Sequence, residues 1–185
     1  MSRADEAVAA EVQSAKRGNG EAYARVIRHY QPTIARRMVR FTRDPRVLEE
    51  LVHDVFVEAY FALRGYRGDA PFEHWLQRIA TRVGYRYWTD CNRRTANVDI
   101  HLHEPEAAGN IAGADARDEV AVALERLSPR DRLVLTLLYL ESRSVAEAAD
   151  LAGWSESMVK VQAHRARKRL RELLAAADQP LTKGK

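Results

Sequence analysis

The sequence predicts an all-α protein: a small four-helix domain and a small helix-turn-helix domain joined by a flexible linker. Three observations predict it. Apolar residues recur at three- and four-residue spacings in both halves of the chain. Helix-start signals (Asp44-Pro45, Ser128-Pro129, Ser144-Val145-Ala146-Glu147) punctuate those runs. Between them, residues 96–116 hold no period at all. The 185 residues, 46% of them hydrophobic, suit two small domains. No alternating Val/Ile/Thr run lies between turn residues, so strands are not expected.

The first domain spans residues 1–95. Its opening helix ends at the breaker Gly18-Asn19-Gly20. A second helix begins near Glu21 and carries Tyr23, Val26, Ile27, Tyr30, Ile34, Met38 and Phe41 on one face, with Pro32 as an expected kink. Asp44-Pro45 starts a third, with Leu48, Leu51, Val52, Val55, Phe56, Ala59 and Leu63 inward. Gly65 to Pro71 reads as a loop. A fourth helix starts near Phe72 and buries Phe72, Leu76, Ile79, Val83 and Tyr87.

The linker, 96–116, contains Pro105, Gly109, Asn110 and Gly113. Asp99, Glu104, Glu106, Asp115, Asp118 and Glu119, against one Arg117, make the segment from Asn97 to Glu119 acidic. The chain's net charge of +4 is therefore concentrated in the flanking blocks, a distribution suited to a polyanionic partner.

The second domain spans 117–177, followed by a tail at 178–185. Its first helix covers Val120 to Leu127, and the next holds Leu133, Val134, Leu137, Leu138 and Leu140 on its buried side. Ser144 and Glu147 have capping-box spacing at the start of a short helix, Gly153 suits its left-handed end, and Ser155 caps a last helix. Two capped helices about a short glycine-containing turn form a helix-turn-helix, whose second member enters the major groove by its first turns. Ser157, Met158, Lys160, Val161 and His164 are the base-facing candidates. His164, Arg165, Arg167, Lys168, Arg169 and Arg171 form a cationic run suited to phosphates.

Two features of the first domain have paired readings. Arg78, Arg82 and Arg86 recur every four residues beside Trp75, Tyr85 and Trp88. Basic groups that track a backbone beside aromatic faces suit unpaired DNA, and the same tryptophans suit a core. Glu49, Glu50, Asp54 and Glu58 give the third helix an acidic side, which reads equally as a protein-docking surface or a solvated face.

Leu48-Glu49-Glu50-Leu51-Val52-His53-Asp54-Val55-Phe56, Phe72-Glu73-His74-Trp75-Leu76-Gln77-Arg78-Ile79-Ala80-Thr81, Leu127-Ser128-Pro129-Arg130 and His164-Arg165-Ala166-Arg167-Lys168-Arg169-Leu170 together resemble the extracytoplasmic-function (ECF) group of the sigma-70 family. The resemblance covers both domains. It implies a bacterial transcription initiation factor that binds core RNA polymerase, at the clamp and flap of its largest subunits, and directs it to promoter DNA. It assigns Glu49, Glu50, Leu51, His53, Asp54 and Phe56 to core polymerase. Tyr66, Arg67, Trp75, Arg78, Arg82, Tyr85 and Arg86 fall to the −10 element and its melting, with the Gly65–Pro71 loop helping to capture a flipped base. Ser157, Met158, Lys160, Val161, His164, Arg165, Arg167 and Lys168 fall to the −35 element. The acidic linker would thread the RNA-exit path, or serve as a plain tether. An anti-sigma factor is a further partner of many members, and the factor acts as a monomer within holoenzyme. The chain departs from the family's pattern at His53, Arg82 and Arg86, where glutamine, asparagine and aspartate are frequent. Met158, Val161 and Gln162 replace a more usual threonine, serine and arginine, which implies a different or weaker −35 readout.

Other chemistry is not expected. One cysteine, Cys91, permits no internal disulfide and fits a reducing cytoplasm. The N-terminus is not a signal peptide, and no apolar run reaches the length of a membrane span. His101 and His103 alone make no metal site, no phosphate-cradling glycine loop or paired CxxC is present, and no cofactor or enzymatic activity is expected. A stand-alone helix-turn-helix regulator would explain the second domain but leave the first unused. A sigma-like decoy would retain the fold without promoter readout.

Overall fold

A computed structural model describes residues 3–98 and 116–177. These form eight α-helices and no strand, and divide into two compact units, 1–87 and 88–185.

The first unit contains α1 (Arg3–Lys16), α2 (Gly20–Met38), α3 (Pro45–Ala62), a 3-10 turn (Leu63–Gly65) and the start of α4 (Phe72–Val98). Asn19 caps α2 by accepting from the Ala22 N–H at 3.1 Å, and Asp44 caps α3 by accepting from the Arg46 N–H at 2.8 Å. Val26, Ile34, Met38, Val55, Ala59, Leu76, Ile79 and Val83 fill the core. α2 runs through Pro32 as one helix; the proline is exposed, where its ring meets no packed neighbour.

Two polar side chains that enter this core make hydrogen bonds across it. The Tyr23 hydroxyl donates to the Phe56 carbonyl at 2.5 Å, and burial pushes its pKa well up, so it remains a donor. Arg37, 9% exposed, donates to the Thr81 hydroxyl at 2.8 Å and ties α2 to α4.

α4 can lie this close to the α2–α3 connection because residue 84 has no side chain. The ring of buried Phe41 occupies the space where a β-carbon on Gly84 would stand. Gly84→Ala is expected to destabilise the first unit by about 1–3 kcal/mol, the usual cost of overpacking. Chemical denaturation of the variant and parent measures it.

The second unit contains α5 (Ala116–Glu125), α6 (Pro129–Leu135), a π turn (Thr136–Leu140), α7 (Val145–Ala152) and α8 (Glu156–Ala177). The capping box at Ser144 is complete: Ser144 Oγ accepts from the Glu147 N–H at 3.2 Å, and Glu147 accepts from the Ser144 N–H at 2.8 Å. Gly153, at φ +70°, ends α7, and the Trp154 N–H returns to the Ala149 carbonyl at 2.9 Å. Ser155 caps α8 through the Met158 N–H at 3.2 Å.

Leu140 departs from the sequence reading. It was expected on the buried side of its helix, yet it is 46% exposed beside exposed Tyr139. The wider turn, closed by the Glu141 N–H on the Thr136 carbonyl at 2.9 Å, rotates the last residues off the helical face. α4 also continues to Val98, past the expected end of the first domain at residue 95.

Candidate nucleic-acid and protein-docking surfaces

α8 follows the helix-turn-helix turn, and its inward stripe is Val159, Ala163 and Ala166, all buried. Small residues at 163 and 166 let it approach its neighbours closely. The opposite stripe is open: Ser157, Lys160, Val161, His164, Arg165, Arg167 and Lys168 are exposed and Met158 is half-buried. Lys160 and Glu156 lie 3.8 Å apart, Lys168 and Glu172 3.9 Å. Exposed pairs one helical turn apart are weak and yield readily to a phosphate. Arg167 donates to the Tyr139 hydroxyl at 2.9 Å.

Two members of the sequence-read recognition helix reach back to α6. Gln162 donates to Asp131 Oδ1 at 2.6 Å, and Arg169 pairs with Asp131 Oδ2. Asp131 is fully buried. Ser128, the cap of α6, donates its hydroxyl to Asp131 Oδ2 at 2.7 Å and accepts from the Asp131 N–H at 3.3 Å. Position 162 lies on the flank of α8 that meets α6, where its partner is a carboxylate. The sequence analysis missed Asp131. Its signal is the carboxylate three residues after a serine cap, a spacing that marks a capping box.

In the first unit the loop after the 3-10 turn is braced by Tyr66. Its N–H returns to the Leu63 carbonyl at 3.1 Å, its hydroxyl donates across the loop to the Ala70 carbonyl at 2.7 Å, and its own carbonyl accepts from Lys16 Nζ at 2.5 Å. Burial, and then the charge of Asp69, push the Tyr66 pKa up, which keeps the hydroxyl a donor. Its ring packs on Phe72 and Trp75, with centroids 5.3 Å away in both cases, and Tyr30 closes on Phe72 at 5.4 Å. Tyr66 is thus 9% exposed and braces the loop. Trp75 is half-buried on this cluster, so part of its ring remains accessible.

Arg67, Arg78 and Arg82 are exposed, and Tyr85 is half-buried. Arg86 is exposed too, but its guanidinium lies 2.5 Å from Glu58 of α3. Trp88 is buried, the core reading of its two.

On α3, Glu49, Glu50, His53 and Asp54 are exposed, whereas Leu51 and Phe56 are buried. Both apolar residues lie on the inward face of α3 that its spacing predicts. Phe56 still reaches the floor of a groove between α2 and α3, with Ile27, Ala35, Leu48 and Val52, and Glu49 and His53 also line it. The α2 wall was not visible in the sequence, because which helix packs beside α3 is a tertiary fact.

Among the described residues no three His, Cys, Asp or Glu side chains gather where a metal could be held, and no helix is long and apolar enough to cross a membrane. His101, His103 and the acidic linker residues Asp99, Glu104, Glu106 and Asp115 lie outside the described residues.

Two family models match the chain. Sigma-70 region 2 matches residues 26–95 and Sigma-70, region 4 matches residues 117–170. RNA polymerase sigma-H factor of Pseudomonas aeruginosa is 28% identical, covering 92% of this chain and 93% of its own. ECF RNA polymerase sigma-E factor of Escherichia coli K12 is 27% identical over 84% of this chain and 88% of its own. The solved structure of CnrH in complex with the cytosolic domain of CnrY is 27% identical, with a TM-score of 0.58, over 91% of this chain and 97% of that one. The sigma factor RpoE in complex with the anti-sigma factor NepR from Bartonella quintana, 22% identical over 85% of this chain and 98% of that one with a TM-score of 0.56, shares the fold. With both regions matched in order and relatives aligned over most of their length, the chain belongs to the ECF group of the sigma-70 family of bacterial RNA polymerase sigma factors.

Proposed function

We propose that the chain binds core RNA polymerase through the acidic face of α3 and the α2–α3 groove, and directs initiation by reading a −10 element with the first unit and a −35 element with α8. The observation that carries this reading is the separation of surfaces. An exposed cationic stripe follows a capped helix-turn-helix in one unit. An aromatic cluster with a half-exposed tryptophan and exposed arginines stands in the other. A carboxylate-rimmed apolar groove completes the set. Phosphate neutralisation, base stacking and protein docking need those three chemistries respectively.

In this reading Ser157, Met158, Lys160, Val161 and His164 face base edges, and Arg165, Arg167 and Lys168 the phosphates. Trp75, Arg67, Arg78, Arg82 and Tyr85 meet the opened −10 strand. Arg86, held by Glu58, contributes through the orientation of α4 against α3. The polymerase supplies the catalysis and the chain is not an enzyme; it works in the cytoplasm as a monomer within holoenzyme. A regulatory protein is a further proposed partner, supported by the CnrH relative, whose structure is a complex with another protein's cytosolic domain.

Gel filtration of the chain with core polymerase, followed by binding to a fork probe with an unpaired −10 strand, tests the assignment. A one-to-one complex that gains affinity for the unpaired strand over the closed duplex is expected. Dimerisation of the free chain on duplex DNA, with no association with core, would contradict it.

A further inference from the structure

The cationic run of α8 invites the reading that every arginine in it neutralises DNA. The geometry points to a division instead: we propose that Arg169, with Gln162, is a positioning residue that locks the recognition helix to α6 through Asp131, and not a phosphate contact. The inference deepens the proposed function and rests on it.

Asp131 is fully buried in the second unit, in the first turn of α6. A buried carboxylate is costly unless bonded and paired, so its partners are determined strongly. Oδ1 accepts from Gln162, and Oδ2 accepts from Ser128 and pairs with Arg169. Among these partners only Arg169 carries a charge. A guanidinium that left for a phosphate would strand the carboxylate. Arg169 is also placed for this role by register. Counting from buried Val159, the inward positions continue through Gln162, Ala163, Ala166 and Arg169, each three or four residues on. Arg169 sits at the edge of that stripe, its side chain 56% exposed, and its guanidinium reaches back to Asp131, whereas Arg165 and Lys168 lie off the stripe.

The lock spans α8 from its second turn to its fourth. Two donors from α8 converging on one acceptor that Ser128 holds in place set both the rotation of α8 and its slide along α6, and these two variables decide which side chains reach base edges. Gln162 in place of a cation is consistent with this role, since Arg169 already provides the one positive charge the acid needs.

The test is a salt titration. Holoenzyme assembled with the full chain binds a duplex promoter fragment that wild-type holoenzyme selects from a random-sequence pool. Removing one cation that neutralises a phosphate makes the slope of log K against log salt shallower by about 0.9. Arg165→Met is expected to lower that slope. Arg169→Met is expected to weaken binding by about tenfold or more and leave the slope unchanged. A second reading comes from Asp131, which is buried away from DNA. In an Asp131→Asn background Arg169→Met should cost little further affinity, because the charge it served is gone. A phosphate role would give the same loss in both backgrounds. Should Arg169→Met unfold the second unit, the Asp131→Asn/Arg169→Met double variant, which strands no charge, still reports the slope.

A slope that falls for Arg169→Met as it does for Arg165→Met, with losses that add to those of Asp131→Asn, would overturn the assignment. If wild-type holoenzyme selects no duplex at all, the proposed function fails, and this inference with it.

Discussion

Reversing the charge of Glu49, Glu50 and Asp54 together to lysine is expected to abolish stable association with core polymerase, a loss of about a hundredfold or more in affinity. All three carboxylates are exposed on α3, and the helix keeps its inward residues Leu51, Val52, Val55 and Phe56. The fold should therefore be retained, with a circular dichroism spectrum and melting close to the parent. Affinity should suffer twice, since favourable pairs are removed and like charges are brought together, and such juxtapositions cost several kcal/mol. Glu58 is left in place because it holds Arg86. Fluorescence anisotropy with labelled chain and core polymerase measures the change, and a variant that binds as the parent does would remove α3 from the interface.

Trp75→Ala carries the second large effect. The ring sits on the Tyr66–Phe72 cluster and remains half accessible, the arrangement of a stacking platform with a fixed base. Loss of one stacked base costs about 1–3 kcal/mol, so open-complex formation on a closed duplex should fall by roughly 5- to 150-fold. On a template already unpaired through the −10 region much of the rate should return, because opening is no longer required. An equal defect on both templates would place Trp75 in structural support alone. The same experiment separates Trp75 from Tyr66, whose bonds to Ala70, Leu63 and Lys16 make it a brace of the loop.

Most of the fold was legible because the helices are marked at their ends. Asp44, Ser128, Ser144 and Ser155 cap where the sequence places them, and Gly153 adopts the left-handed conformation that only a residue without a β-carbon takes at no cost. Leu140 was misplaced because a π turn changes the period within a run that still looks helical in letters. Trp88 shows the limit of composition: an aromatic residue beside arginines is a stacking candidate or a core residue until its neighbours are known.

For the surfaces, exposure followed periodicity. Glu49, Glu50, His53 and Asp54 are outward and so are Lys160, Arg165 and Lys168, as one helical face requires. Leu51 and Phe56, which the resemblance assigns to core polymerase, are inward, as the spacing that made them core candidates requires. Gln162 and Arg169 could not be sorted from their neighbours, since their partner, Asp131, lies 31 and 38 residues earlier in the chain. Gly84 carried only the weak signal of a glycine inside a helix, and its reason, Phe41, lies on another element.

In the proposed role the chain confers promoter choice on a polymerase that lacks it. Run-off transcription from a pool of promoter fragments, with bacterial core polymerase and with or without this protein, tests that claim most directly. The account predicts discrete transcripts from particular fragments that appear only when the chain is added and that weaken with Trp75→Ala. Stable binding to core with no fragment transcribed, or the same transcripts with and without the chain, would contradict it.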